Sequence, residues 1–72
     1  MKIYKKVVGK HIIVEETIHK GLYNVFSKNE SFPLGNLEYY NPWKCYVWQS
    51  FENSMMSKSC LIEAFNIVEN WS

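Results

Sequence analysis

The chain has 72 residues, of which 47% are hydrophobic, 17% aromatic and 21% charged, and its formal net charge is +1. This composition excludes a disordered chain and predicts one small domain over residues 1–72, in which large side chains supply most of the core. The near-neutral charge and the absence of arginine argue against a general affinity for nucleic acid, and no apolar run approaches the roughly 18 residues of a membrane span, so we expect a cytoplasmic protein.

The first half of the chain favours β-structure because β-branched and aromatic residues are concentrated there. It predicts three strands, over residues of about 3–8, 11–18 and 22–27. Gly9 and Lys10 lie between the first two, and a glycine at the first central position suits a two-residue type II′ hairpin turn. The alternative is one bent strand with a bulge at Gly9.

The second half predicts two further strands and the only helix. The strands cover residues of about 34–40 and 43–49 and are joined by Asn41 and Pro42, which are typical turn residues. The helix covers residues of about 58–71, with Ser57 or Ser59 as its N-cap. We therefore expect an α+β fold, in which a small antiparallel meander of four or five strands packs against one C-terminal helix.

Helical spacing and strand alternation predict which side chains form the core. The predicted helix has one apolar stripe made of Leu61, Ile62, Phe65, Val68 and Trp71, and Ile67 flanks this stripe. In the last two strands we expect the buried face to contain Leu37, Tyr39, Trp43, Cys45 and Val47. The opposite face then presents a half-exposed aromatic row of Tyr40, Tyr46 and Trp48, flanked by Lys44 and Glu38.

The residues give little support to metal binding or catalysis. The soft or imidazole ligands His11, His19, Cys45 and Cys60 lack the close spacing of structural zinc sites, so we expect no metal and no cofactor. Cys60 lies in the first turn of the predicted helix, where the helix dipole favours a thiolate, but the chain contains no aspartate to orient a histidine base. We interpret Cys60 as a packing residue and the protein as a non-enzyme.

The aromatic row is the strongest candidate for a binding site, because exposed tyrosine and tryptophan are enriched at the centres of protein interfaces. The predicted binding residues are Tyr40, Lys44, Tyr46 and Trp48, with the more distant Tyr23. One alternative is stacking of single-stranded nucleic acid on the same face, which the low positive charge disfavours. Another is a homodimer that covers the aromatic patch.

Three segments in the second half also resemble a set of short, uncharacterised proteins of phages, prophages and related mobile elements. Residues 34–40 read LGNLEYY, residues 42–48 read PWKCYVW, and the helix begins with SCLIE. The sequence departs from that set at residues 49–50, where a proline is common, and at Glu63 and Ala64 in the helix. The resemblance covers a little under half of the chain and brings no catalytic motif.

The resemblance implies a bacterial host and a protein that acts by covering the surface of a host protein. Such a binder would be a stoichiometric inhibitor of a bacterial defence system, similar in action to anti-CRISPR proteins. The first 30 residues take no part in the resemblance, and no residue identifies the target.

Overall fold

A computed structural model describes residues 4–51 and 54–71. The elements, in chain order, are β1 (Lys6–Val8), β2 (Ile12–Glu16), β3 (Leu22–Ser27), β4 (Pro33–Tyr40), β5 (Cys45–Ser50) and α1 (Lys58–Glu69). All neighbouring strands are antiparallel, and the order across the sheet is the order along the chain. The predicted fold, a meander packed against one C-terminal helix, is confirmed.

The connection between β1 and β2 is a hairpin, but the turn differs from the predicted one. The Gly9 N–H donates to the Ile12 carbonyl at 2.7 Å, so the turn is centred on Lys10 and His11. Gly9 does not have a positive φ, and the type II′ prediction is therefore wrong. The positive φ of +85° belongs to Gly21, in the turn before β3, where only glycine adopts this angle without strain.

The core lies between one face of the sheet and the helix. We call this face the inner face. Strand register places Val14 opposite Val25 and Tyr23 opposite Leu37, and paired residues share a face. The buried core residues are Ile12, Val14, Tyr23, Val25, Leu37, Ala64 and Val68. The helix packs mainly across β2, so it lies nearer to the β1 side of the sheet than to β5.

The helix begins at the predicted cap and buries a slightly different stripe. Ser57 accepts a hydrogen bond from the Cys60 N–H at 3.3 Å, which confirms one of the two predicted N-caps. Ala64 is fully buried, whereas Ile62, which we expected in the core, is 50% exposed. The helix is rotated so that the small Ala64 allows close approach to the sheet, and Ile62 lies beside the β1 edge.

The prediction for the two faces of β5 is wrong. Tyr46 and Trp48 lie on the inner face and pack against the core, since they pair with Tyr39 and Leu37. Of the residues that we expected to be buried, Leu37 is buried as predicted. The other four are not, since Cys45, Trp43 and Tyr39 are exposed and Val47 is half-buried. Tyr40 pairs with Cys45 on the opposite, outer face, so the predicted aromatic row is divided between two faces.

The outer face of the sheet has a polar centre. Register aligns one residue from each strand in a row across it, namely Lys6, Glu15, Asn24, Asn36 and Gln49. Among the described residues, no helix packs on this side. The polar row places no apolar core across the centre of this face, and the described residues form two layers, the sheet and the helix.

Glu63 joins the helix to the first hairpin. Its carboxylate accepts hydrogen bonds from the backbone N–H groups of Lys10 and His11, the second at 3.4 Å. A Cβ at Gly9 would overlap this carboxylate and approach Ile67 Cδ1 to 3.1 Å. The glycine thus leaves room for the Glu63 carboxylate to approach the turn, and it has no positive φ that the turn would demand.

We expect Glu63→Ala to lower the free energy of unfolding by about 1 to 2 kcal/mol, because two turn N–H groups lose a charged acceptor. The matched control is Glu69→Ala, which removes an exposed glutamate from the same helix and should change stability by less than about 0.5 kcal/mol. Urea unfolding followed by circular dichroism measures both. Equal effects of the two substitutions would contradict a structural role for the Glu63 carboxylate.

Candidate functional site

Tyr23 is a core residue and not part of an exposed surface. It is 8% exposed, and its ring contacts Trp71 of the C-terminal segment at a centroid distance of 4.9 Å and Tyr46 of β5 at 6.0 Å. Both contacts are edge-to-face, a favourable geometry for aromatic pairs. Tyr23 thus connects the C-terminal end of the helix to β5, the edge strand that lies away from the helix.

The inner-face aromatic residues form a continuous chain. Tyr46 contacts Tyr23 on one side and Tyr39 on the other. The ring centroids of Tyr46 and Tyr39 are 5.2 Å apart, and Tyr39 is 40% exposed. At the other end, the Lys5 Nζ lies over the Trp71 ring, 5.1 Å from its centroid. This series of ring contacts therefore begins in the core at Tyr23 and reaches the surface at Tyr39, near the β4–β5 edge of the sheet.

The surroundings of Tyr23 raise the pKa of its hydroxyl from 10 to about 12. Burial is the largest cause, because it disfavours the phenolate, and a side-chain hydrogen bond with Tyr46 adds to it. Tyr46 and Glu16 contribute further by electrostatic repulsion of the phenolate.

We expect the wild-type protein to lose stability between pH 10 and 12. In this range the unfolded chain has released the Tyr23 proton and the folded chain retains it, so the free energy of unfolding falls as pH rises. Tyr23→Phe should make this fall smaller by up to about 1.4 kcal/mol per pH unit. Urea unfolding from pH 9 to 11.5 checks this, and the same slope in wild type and Tyr23→Phe would contradict it.

The most exposed aromatic residues of the hairpin lie at the turn between β4 and β5. Trp43 is 70% exposed and Tyr40 is 42% exposed. Their ring centroids are 5.0 Å apart at an interplanar angle of 79°, so each ring supports the other in an edge-to-face pair. We call Tyr39, Tyr40, Trp43 and Lys44 the hairpin tip.

Local sequence determines the shape of the tip. The Lys44 N–H donates to the Asn41 carbonyl at 3.1 Å, in a turn with asparagine first and Pro42 second, the positions that these residues prefer. Lys44 has a φ of +53°, which returns the chain to β5 and closes a four-residue loop. The proline and the turn hydrogen bonds restrict the backbone on which Trp43 is held.

A shallow cleft lies beside the hairpin tip on the inner side. Its volume is about 320 Å³, and Lys20, Tyr39, Asn41 and Tyr46 contribute to its lining. Lys20 and Lys44 give this end of the molecule two positive charges near exposed rings. Glu38 is exposed on β4, two residues before Tyr40.

The structure separates the predicted binding residues. Tyr40 and Lys44 are exposed at the tip, Tyr46 and Trp48 are half-buried against the core, and Tyr23 is buried. Two exposed rings of the tip, Trp43 and Tyr39, were expected in the core. The signal that could have identified Trp43 is its position directly after Asn41 and Pro42, where turn residues place the next side chain in solvent.

The thiols and the possible metal ligands form no obvious reactive centre in the described part of the chain. Cys45 is exposed on the outer face and Cys60 is half-buried against the core, and both are free thiols. Within residues 4–51 and 54–71, no three histidine, cysteine or carboxylate side chains lie close enough to hold a metal ion together. The one helix of this part is too short to cross a bilayer.

No family model matches the chain, and neither a curated protein nor a solved structure is detectably similar to it.

We expect Trp48→Ala to destabilise the fold and Trp43→Ala to leave it nearly unchanged. The Trp48 indole lies against Gly35, where an added Cβ would come within 2.7 Å of it, and it packs on the core. Removing this ring should lower the free energy of unfolding by about 2 kcal/mol or more, against less than about 1 kcal/mol for the exposed Trp43. Urea unfolding of the two variants measures the difference. A Trp48→Ala variant as stable as wild type would show that this ring is not a core component.

Proposed function

We propose that the protein is a non-enzymatic protein-binding module that docks on a host protein through the hairpin tip. The observation that carries this proposal is the exposed edge-to-face pair of Trp43, in the four-residue loop, and Tyr40, at the end of β4, whose ring centroids are 5.0 Å apart. Exposed tryptophan and tyrosine are the side chains that most often dominate binding energy at protein interfaces. The proposal keeps two of the residues predicted from sequence, Tyr40 and Lys44, and replaces Tyr46 and Trp48 by Trp43 and Tyr39.

Preorganisation supports the tip as an anchor. A mobile tryptophan loses conformational freedom on binding, which weakens the complex, whereas Trp43 is already supported by Tyr40 and by the proline-containing turn. Trp43 is 70% exposed, so most of its surface is available for burial in a partner's pocket.

Charge indicates the chemistry of the partner surface. Lys44 at the tip and Lys20 beside the cleft favour a partner whose apolar pocket is bordered by carboxylates. Such a surface attracts the tip at long range and accepts Trp43 at short range. We further propose, from the resemblance to mobile-element proteins, that the partner is a cytoplasmic bacterial protein and that occupying its surface inhibits a defence system.

The test is an affinity capture followed by a binding measurement with purified components. The tagged wild-type protein, Trp43→Ala and Lys6→Ala are used to capture proteins from a bacterial lysate, and a protein retained by both wild type and Lys6→Ala is purified whether or not Trp43→Ala also retains it. We expect Trp43→Ala to weaken its binding by about 2 kcal/mol, which is roughly a 30-fold increase in Kd. Lys6→Ala is the control, since Lys6 is an exposed residue of β1, outside the tip.

Two outcomes would contradict the proposal. One is a purified partner that binds wild type and Trp43→Ala with the same Kd while Trp43→Ala remains folded. The other is tight binding of a fluorescent single-stranded oligonucleotide with a steep salt dependence, which would favour the nucleic-acid alternative. A protein complex formed through the tip should show a shallow dependence on salt.

A further inference from the structure

The two edges of the sheet differ in how well they are protected against pairing with another strand. The β1 edge is only three residues long. It contains Lys6, and two more lysines, Lys5 and Lys10, lie just before and just after it. The β5 edge is six residues long, and its sequence CYVWQS contains no charge and no proline. Short length and lysine are devices that block edge pairing, and β5 has neither.

The backbone geometry shows which groups of β5 are available. The Phe51 N–H donates to the Leu34 carbonyl at 3.0 Å, and the β4–β5 register continues without a shift. Because hydrogen-bonding directions alternate along an antiparallel strand, Gln49, Val47 and Cys45 also point toward β4. The residues that point away from β4, toward the free edge, are Tyr46, Trp48 and Ser50.

A contact in the neighbouring strand confirms this direction. The Tyr39 N–H donates to the Gly21 carbonyl at 3.0 Å, so Tyr39 points away from β5. Its partner Tyr46 consequently points away from β4. In the described part of the chain β5 pairs with β4 alone, which leaves three N–H and three carbonyl groups in a row at the end of the sheet.

We propose that this edge joins two copies of the chain, with β5 of one copy pairing antiparallel to β5 of the other and the two sheets forming one ten-stranded sheet. The occupant is a second copy because the edge is self-complementary. Its three outward-pointing residues are evenly spaced about Trp48, and a two-fold axis at Trp48 brings every outward group opposite another. No charge lies within β5 to repel its copy.

Hydrogen bonding selects one register. With Trp48 opposite the partner's Trp48, Tyr46 lies opposite the partner's Ser50, and all three outward residues form reciprocal pairs, giving six hydrogen bonds. A register centred on Val47 would form only two reciprocal pairs, Tyr46 with the partner's Trp48 and Trp48 with the partner's Tyr46. These two pairs give four hydrogen bonds. The first register also places two half-buried indoles side by side on the inner face, an arrangement that stabilises strand pairs.

This proposal goes beyond docking through the hairpin tip and does not depend on it. The antiparallel pairing leaves Trp43 and Tyr40 outside the new strand pair, because both precede the paired residues 46–50. A failure of one proposal therefore leaves the other unaffected, since dimerisation is measured without any partner and docking is measured as the difference between wild type and Trp43→Ala, which have the same β5.

Ser50→Pro tests the proposal in the full-length protein. Proline removes the Ser50 N–H, which points away from β4, so the β4–β5 hydrogen bonds remain and an edge strand tolerates the residue. The matched control is Val8→Pro. The Gly9 N–H donates to Ile12 and the Lys5 carbonyl accepts from Glu16, so the Val8 N–H likewise points to solvent, but at the β1 edge.

Sedimentation equilibrium over about 10 µM to 1 mM measures the oligomeric state. We expect the average mass of wild type and Val8→Pro to rise from that of one chain toward twice that value. Ser50→Pro should remain at the mass of one chain, with its folding checked by circular dichroism. A wild type that stays monomeric at 1 mM, or a Ser50→Pro variant that is folded and still dimeric, would overturn the proposal.

Amide hydrogen exchange of the wild type gives a second readout that requires no substitution. The Tyr46, Trp48 and Ser50 amides should exchange roughly three- to sevenfold more slowly at 1 mM than at 10 µM, while the Lys6 and Val8 amides should not change with concentration. Exchange at Tyr46, Trp48 and Ser50 that is independent of concentration would also overturn the proposal, as would slowing confined to Lys6 and Val8.

Discussion

The four-residue loop between β4 and β5 determines which aromatic residues are buried and which reach the surface. An even number of loop residues places each odd-numbered residue of β4 opposite an even-numbered residue of β5, as Leu37 lies opposite Trp48. Opposite residues share a face, so Trp48 and Tyr46 join the core, and the alternate residues of β5 turn to the outer face. A loop one residue longer or shorter would exchange the two sets. The aromatic chain through Tyr23 and the exposed position of Trp43 both follow from this pairing.

Strand and helix positions could be predicted from local sequence, because β-branched clusters, turn residues and a serine cap act within a few residues. β3 begins and ends at the predicted residues, and Ser57 caps the helix as expected. The predicted faces of β5 were wrong although the predicted loop has the right parity. A two-residue loop of Asn41 and Pro42 is even, like the four-residue loop of the structure, and either length places Leu37 on the same face as Tyr46 and Trp48. Alternation within each strand does not show which faces coincide until it is combined with this pairing. The loop extends to Lys44, whose positive φ is uncommon for lysine.

The role of Glu63 was also beyond the reach of sequence patterns. Helical periodicity places it beside the apolar stripe, where a glutamate is ordinarily in solvent, and its hydrogen bonds go to a turn more than 50 residues away in the chain. Gly9 has a conspicuous position between two strands, but the carboxylate that lies close to it comes from the helix, and this contact becomes evident only when the helix lies on the sheet. Long-range contacts of this kind leave no periodic signal.

The position of the helix relates the core to the two candidate interaction surfaces. A 12-residue helix is about 18 Å long, and it packs mainly across β2, so the inner face at β5 is covered chiefly by its own aromatic rings. That side of the sheet therefore keeps both an uncharged edge and an exposed hairpin tip. In a dimer joined at Trp48, the two Trp43 residues would each lie five residues from the axis, in opposite directions. At about 3.3 Å per residue, the two tips would be roughly 33 Å apart. Two anchors at that spacing would bind a target with repeated sites far more tightly than one, since the second contact becomes intramolecular.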